Sequence, residues 1–133
     1  MTKQLTALCA GLVLATWGTI ASAAEMSVEP ERCIQLSRVK TTEILGNRQI
    51  LFELQNGRHY LNTLPYPCPG MRRGTTLLYR TSLDQLCSVD VVTVLETGGG
   101  GGFWPGASCG LGTFEPVDEG EIDQLREAAK KSN

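Results

Sequence analysis

Four cysteines constrain this chain more than any other feature. Cys33, Cys68, Cys87 and Cys109 are the ones left once the first two dozen residues are set aside, and those residues have the layout of a secretory leader. Lys3 supplies positive charge, Leu5 to Ile20 is uncharged and mostly apolar, and Ala21-Ser22-Ala23 offers small residues for a signal peptidase. Cleavage is expected after Ala23 or Ala24. As a helix the apolar stretch reaches only about 24 Å, short of a hydrocarbon core of about 30 Å, so a leader is favoured over a membrane anchor. The fifth cysteine, Cys9, lies inside that stretch and leaves with it.

An even number of cysteines in a small exported domain reads as two disulfides. A zinc site of four thiolates wants closely spaced pairs, whereas the gaps here are 35, 19 and 22 residues. Three connectivities are open. The expected one joins Cys68 to Cys87 around the shorter loop and Cys33 to Cys109 across the domain. Each bond is expected to add about 3 kcal/mol by restricting the unfolded chain. That matters for about 110 mature residues, which allow one small domain.

The chain carries 41% hydrophobic and 20% charged residues, the composition of a globular protein. Its formal charge of −2 gives no concentrated basic surface, so nucleic acid is not an expected partner.

From Arg38 the pattern is β. Val39 to Leu45 is rich in Thr, Val and Ile, and Gly46-Asn47 ends it. Ile50, Phe52 and Leu54 alternate on one face. Asn56-Gly57 predicts a two-residue type I′ hairpin pairing Leu54 with His59, Phe52 with Leu61 and Ile50 with Thr63, and leaving Glu53 and Tyr60 on the other face. Leu64 to Gly70 holds three prolines and reads as a connection. Thr75 to Thr81, Val89 to Glu96 and Gly110 to Val117 read as further strands.

Gly98 to Gly102 is a run of five glycines, which predicts a mobile loop unless something clamps it. Asp118 with Glu121 fits a capping box, so a helix is expected from Glu119 to Lys131, with Ile122, Leu125 and Ala129 as its apolar stripe. Five or six short strands and one helix predict a mainly β fold: a small antiparallel, strongly curved sheet or OB/SH3-like barrel with a C-terminal helix. The expected organisation is a signal peptide over 1–23, a flexible lead-in over 24–32, a disulfide-stapled β domain over 33–117, and a helix and tail over 118–133.

Candidate chemistry is thin. Gly106-Ala107-Ser108-Cys109-Gly110 matches the G-x-S-x-G nucleophile elbow, but no histidine follows Ser108 and the chain is too short for the parallel sheet that elbow needs. His59, the one imidazole, reads as a half-buried packing residue with Glu53 on the opposite face. Asp84 and Asp90 flank Cys87 and read as solvated acids, and Arg72-Arg73 as a solvated pair with some attraction for an anion. The glycine run lacks the Lys-Ser/Thr end of a phosphate loop. No catalytic residue, metal or cofactor is assigned. Phe103 and Trp104 form the candidate binding loop, set against the favoured alternative that the two rings fold back and cap the barrel.

Several stretches carry a resemblance: Cys33-Ile34, Ile50-Leu51-Phe52, Tyr60 to Leu64 with Cys68-Pro69-Gly70, Leu86 to Asp90, and Cys109 to Val117. Over roughly residues 33 to 117 the chain resembles a family of small exported proteobacterial proteins known only as a domain of unknown function. The resemblance implies an exported domain with structural cysteines and supplies no activity. The reading that follows is a periplasmic or secreted, non-enzymatic binding or envelope-interaction protein with an unknown envelope or extracellular partner and no membrane span after leader cleavage. The alternative is a small hydrolase or transferase using Ser108 or the acids near Cys87.

Overall fold

The turn at Asn56-Gly57 decides which side chains of the central hairpin face which way. The structure, a computed structural model, describes residues 29–132; the expected leader, Cys9 and residues 24–28 lie outside the described residues. Strands β3 (Gln49–Leu54) and β4 (His59–Thr63) pair antiparallel, with Phe52 opposite Tyr60 and Ile50 opposite Asn62. That is one residue from the expected register. Only Gly57 takes a positive φ (80°), and Asn56 does not. Gly57 N donates to Leu54 O and Leu54 N to Arg58 O, so the loop has three residues and a glycine bulge instead of a two-residue type I′ turn. A slip of one residue exchanges faces. Tyr60 joins Phe52, while His59 and Leu61 join Glu53 and Leu51.

These strands sit in a four-stranded antiparallel sheet of order β2-β3-β4-β9, with β2 at Val39–Ile44 and β9 at Phe114–Val117. Each of its faces carries an apolar patch. Leu45, Leu51 and Leu61 on one side are covered by Ile122 and Ala129 of α1 (Glu119–Lys131), with Leu125 partly buried beside them. The helix begins at the expected capping box, where Asp118 accepts from Glu121 N at 2.8 Å and Glu121 accepts from Asp118 N at 3.0 Å.

The other face packs Ile44, Ile50, Phe52, Leu54, Tyr60 and Phe114 against a second sheet. That sheet has the order β5-β7-β8, formed by β5 (Thr76–Tyr79), β7 (Val91–Thr97) and β8 (Phe103–Gly110). Val92 and Val94 supply its fully buried side chains. Phe52 lies at the centre, its ring 5.5 Å from that of Phe114 and 6.5 Å from that of Tyr79. A two-stranded sheet of β1 (Cys33–Gln35) and β6 (Gln85–Cys87) adds Ile34 and Leu86 to the same core.

The fold is therefore mainly β and antiparallel with one C-terminal helix, as expected, but among the described residues there is neither a closed barrel nor a single strongly curved sheet. The strands divide into three separate sheets. Among the described residues nine strands replace the expected five or six, because β1 and β6 are too short to show a period and β8 runs through the segment read as a loop. Glu31, ahead of Cys33, is bridged to β9. Glu31 exchanges two backbone hydrogen bonds with Phe114, and its carboxylate accepts from Tyr60 Oη at 2.6 Å. Burial first, and then that carboxylate, push the Tyr60 phenol above its ordinary value.

All four cysteines are bonded, but not in the expected pairs. Cys33 joins Cys87 and Cys68 joins Cys109. The expected pairing closed the shortest loop, which ignored that β1 pairs with β6 and sets Cys33 directly opposite Cys87. Cys109 pairs with Val92 on the core side of β7 and meets the fully buried Cys68 of the connection. The two loops cross, spanning 54 and 41 residues. In the chain-entropy account each is worth about 4 kcal/mol. Replacing Cys68 and Cys109 by alanine is expected to cost more than replacing Cys33 and Cys87, since the former pair also leaves a core void. Guanidinium unfolding of the two variants measures the difference, and a reduced protein that melts with the oxidised one would contradict the assignment.

Asn62, fully buried, fixes the crossing from β8 to β9. Its Nδ2 donates to Gly112 O at 2.7 Å and its Oδ1 accepts from Gly112 N at 2.9 Å. A Cβ on Gly112 would collide with the Thr63 carbonyl oxygen. Asn62→Leu leaves both Gly112 groups unpaired and is expected to cost about 3 kcal/mol in urea unfolding. Gly112→Ala is expected to destabilise similarly, and native-like stability of both variants would refute the clasp.

Candidate functional site

The glycine run is clamped at its base by the strands it joins. Gly98 N donates to Gly102 O at 3.0 Å and Gly101 N to Gly98 O at 3.2 Å, making Gly98–Gly102 the tip of the β7–β8 hairpin. Phe103 therefore sits opposite Thr97, Trp104 opposite Glu96 and Pro105 opposite Leu95. Strand alternation sends successive side chains to opposite faces, so the two rings cannot fold back together. Phe103 is 61% and Trp104 65% exposed, which overturns the expected cap. Their place at the far end of β7 and β8 from Val92 and Cys109 keeps them off the core.

β8 is an edge strand. Because Gly98 and Gly102 form a hydrogen-bonded pair, alternation makes Leu95–Pro105 a non-bonded one. The side of Pro105 that lacks an N–H then faces the free edge, where proline is tolerated.

Beside Phe103 opens a cleft of about 450 Å³, lined by Arg72, Arg73, Thr76, Glu96, Thr97 and Phe103 among others. The β5-β7-β8 order brings the arginine pair and the aromatic tip together, although 30 residues separate Arg73 from Phe103 in the chain. A tight turn presents the arginines: Thr75 N donates to Arg72 O at 3.1 Å and Arg72 N to Thr75 Oγ1 at 3.2 Å. Arg73 Nη2 donates to Arg126 O of α1 at 3.3 Å, while its Nε is buried without a partner. Among the described residues neither arginine has a carboxylate within 4.0 Å, unlike Lys40, Arg126 and Lys130. Sequence reasoning missed Glu96 as a cleft residue, since nothing in its strand pattern marks it out.

The other candidates are not assembled into a reactive group. Ser108 lies within a strand, where its Oγ shares a 2.8 Å hydrogen bond with Thr93 Oγ1. β8 leads to another strand and not to a helix, so the elbow geometry is missing. Asp90 accepts from Cys87 N at 2.7 Å, and Asp84 accepts from both the backbone and the hydroxyl of Ser37. The two acids flanking Cys87 thus hold loops in place.

His59 corrects its expectation. It lies directly opposite Glu53 on the helix-facing side of the sheet, not on the face opposite to it. The hydrogen bond from Lys40 Nζ, at 2.7 Å, is the main cause holding the Glu53 carboxyl below its ordinary value, and nearby His59 contributes less. Glu43 accepts from Arg126 at 2.8 Å and raises that guanidinium further. Among the described residues no group of three or more His, Cys, Asp and Glu is placed to hold a metal ion. No described helix is long and apolar enough to cross a membrane.

The geometry defines a class: a two-disulfide β protein of three sheets and one helix, carrying a polar cleft with an aromatic lip. The chain belongs to a family of unknown function (DUF6491), whose pattern matches residues 1–133. No curated protein and no solved structure matches it.

The Trp104 indole lies where a side chain on Gly98 would stand, and a Cβ there would collide with Trp104 Nε1. Gly98→Ala is expected to displace the ring with little loss of stability, because an exposed side chain can swing away. With Trp17→Phe leaving Trp104 as the sole tryptophan, acrylamide quenching should rise. Unchanged quenching would show that the ring does not rest there.

Proposed function

We propose that the chain is an exported, non-enzymatic domain that acts in the periplasm or outside the cell by binding a partner there. The observation that carries this reading is the exposure of Phe103 and Trp104, at 61% and 65%, on one edge strand. Large rings left in water cost free energy, and aromatic residues are enriched among those that dominate interfaces. Two disulfides suit an oxidising compartment, and the leader-like first 23 residues supply the route to it. The hydrolase or transferase alternative has less support, because Ser108, Asp84 and Asp90 are each committed to structural hydrogen bonds.

The test is capture from an envelope extract by the oxidised protein and by the Phe103→Ala/Trp104→Ala variant. The native protein should retain a partner that the variant binds about thirtyfold more weakly, the effect of losing a strong interface residue. The variant's melting temperature should stay the same. Equal capture by both proteins would remove the aromatic pair from the binding surface.

A further inference from the structure

Two arginines line the cleft beside Phe103. Arg72 and Arg73 face a single lining carboxylate, Glu96, so the site is net positive in a chain whose formal charge is −2. Neither guanidinium is neutralised by an ion pair among the described residues. Arg73 is anchored through Nη2 to the Arg126 carbonyl and keeps a buried Nε with no acceptor. Arg72, exposed and without an ion pair among the described residues, is therefore the guanidinium free to meet a ligand.

We propose that this cleft binds a compact oxyanion, a carboxylate or phosphate, joined to an apolar body that lies against Phe103. The inference rests on the binding reading above and gives the partner its chemistry. The planar fork of the exposed, unpaired Arg72 guanidinium matches a carboxylate or phosphate, and Arg73, held toward α1, adds positive charge beside it. At about 450 Å³ the space suits a small molecule or a single side chain of a larger partner. Glu96 directs its carboxylate toward Gly70 and Gly106, where an added Cβ would come within 3.2 and 2.9 Å of Oε1.

The probes are benzoate and phenyl phosphate, with neutral benzamide as the control of similar shape, followed by amide shifts of the oxidised protein in NMR titrations. One of the anions should perturb residues 70–76 and 96–103, and the tighter of the two identifies the oxyanion. Benzamide should bind at least about tenfold more weakly, and Arg72→Gln should weaken the anion about tenfold. Arg72 is exposed and its side chain forms no ion pair among the described residues, so this variant keeps the fold. Benzamide binding as well as benzoate, an unchanged affinity in Arg72→Gln, or no shifts at about 10 mM of either anion overturns the proposal. Envelope capture that survives Arg72→Gln but is lost in Phe103→Ala/Trp104→Ala overturns this inference and leaves the binding reading standing. Benzoate binding without any envelope capture does the reverse.

Discussion

A sheet with an apolar patch on each face cannot stand alone in water, and much of this architecture follows from covering the central one twice. Ile50, Phe52 and Leu54 alternate with Leu51 along a single strand, so β3 demands a layer on each side. Burying one such side chain is worth roughly 1.5–3 kcal/mol, enough to recruit both covers. The helix supplies one with a narrow stripe, Ile122, Leu125 and Ala129, which suffices because Leu45, Leu51 and Leu61 form a small patch. The three-stranded sheet supplies the other over a larger area, and that requirement holds β7 and β8 against Phe52 and Phe114.

The crossed disulfides and the Asn62 clasp solve a different problem. Three sheets that share no hydrogen-bonded ladder can slide on one another, and an apolar interface does little to fix their relative positions. Cys68–Cys109 ties the connection after the central sheet to β8 and Asn62 holds the passage from β8 back to β9, whereas Cys33–Cys87 lies within the two-stranded sheet and locks that sheet's own pairing. Each tie involves a segment with little periodicity of its own. Covalent and polar specificity thus stand where hydrophobic patterning is weakest.

The same division explains what the sequence discloses. Elements set by local rules are legible: the helix lies at Glu119–Lys131 behind its capping box, and β2, β3, β4, β5, β7 and β9 fall within or close to their predicted runs. Asn56-Gly57 marks a turn but not its length, because the same pair serves a two-residue loop or a three-residue loop with a glycine bulge; that single ambiguity reversed the faces of His59 and Tyr60. The disulfide pairing was illegible because it depends on β1 and β6, three residues each, meeting across 50 positions. Of the candidate site, Arg72, Arg73, Phe103 and Trp104 are visible as residue types, but only the β5-β7-β8 order makes the first three into one cleft.

An exposed edge strand ending in two aromatic rings is ordinarily a hazard, since free N–H and C=O groups beside apolar surface invite pairing with another chain. β8 moderates that hazard. Pro105 removes a donor from the free edge immediately beyond the rings, and the glycine tip leaves Phe103 and Trp104 at the end of the strand instead of along it. The rings are thereby available to side-chain recognition while the backbone is a poor template for strand addition. A surface built only to avoid contact would place charge at those two positions. Keeping the aromatics and blunting the backbone is what the proposed recognition through side chains and the adjoining arginine cleft requires.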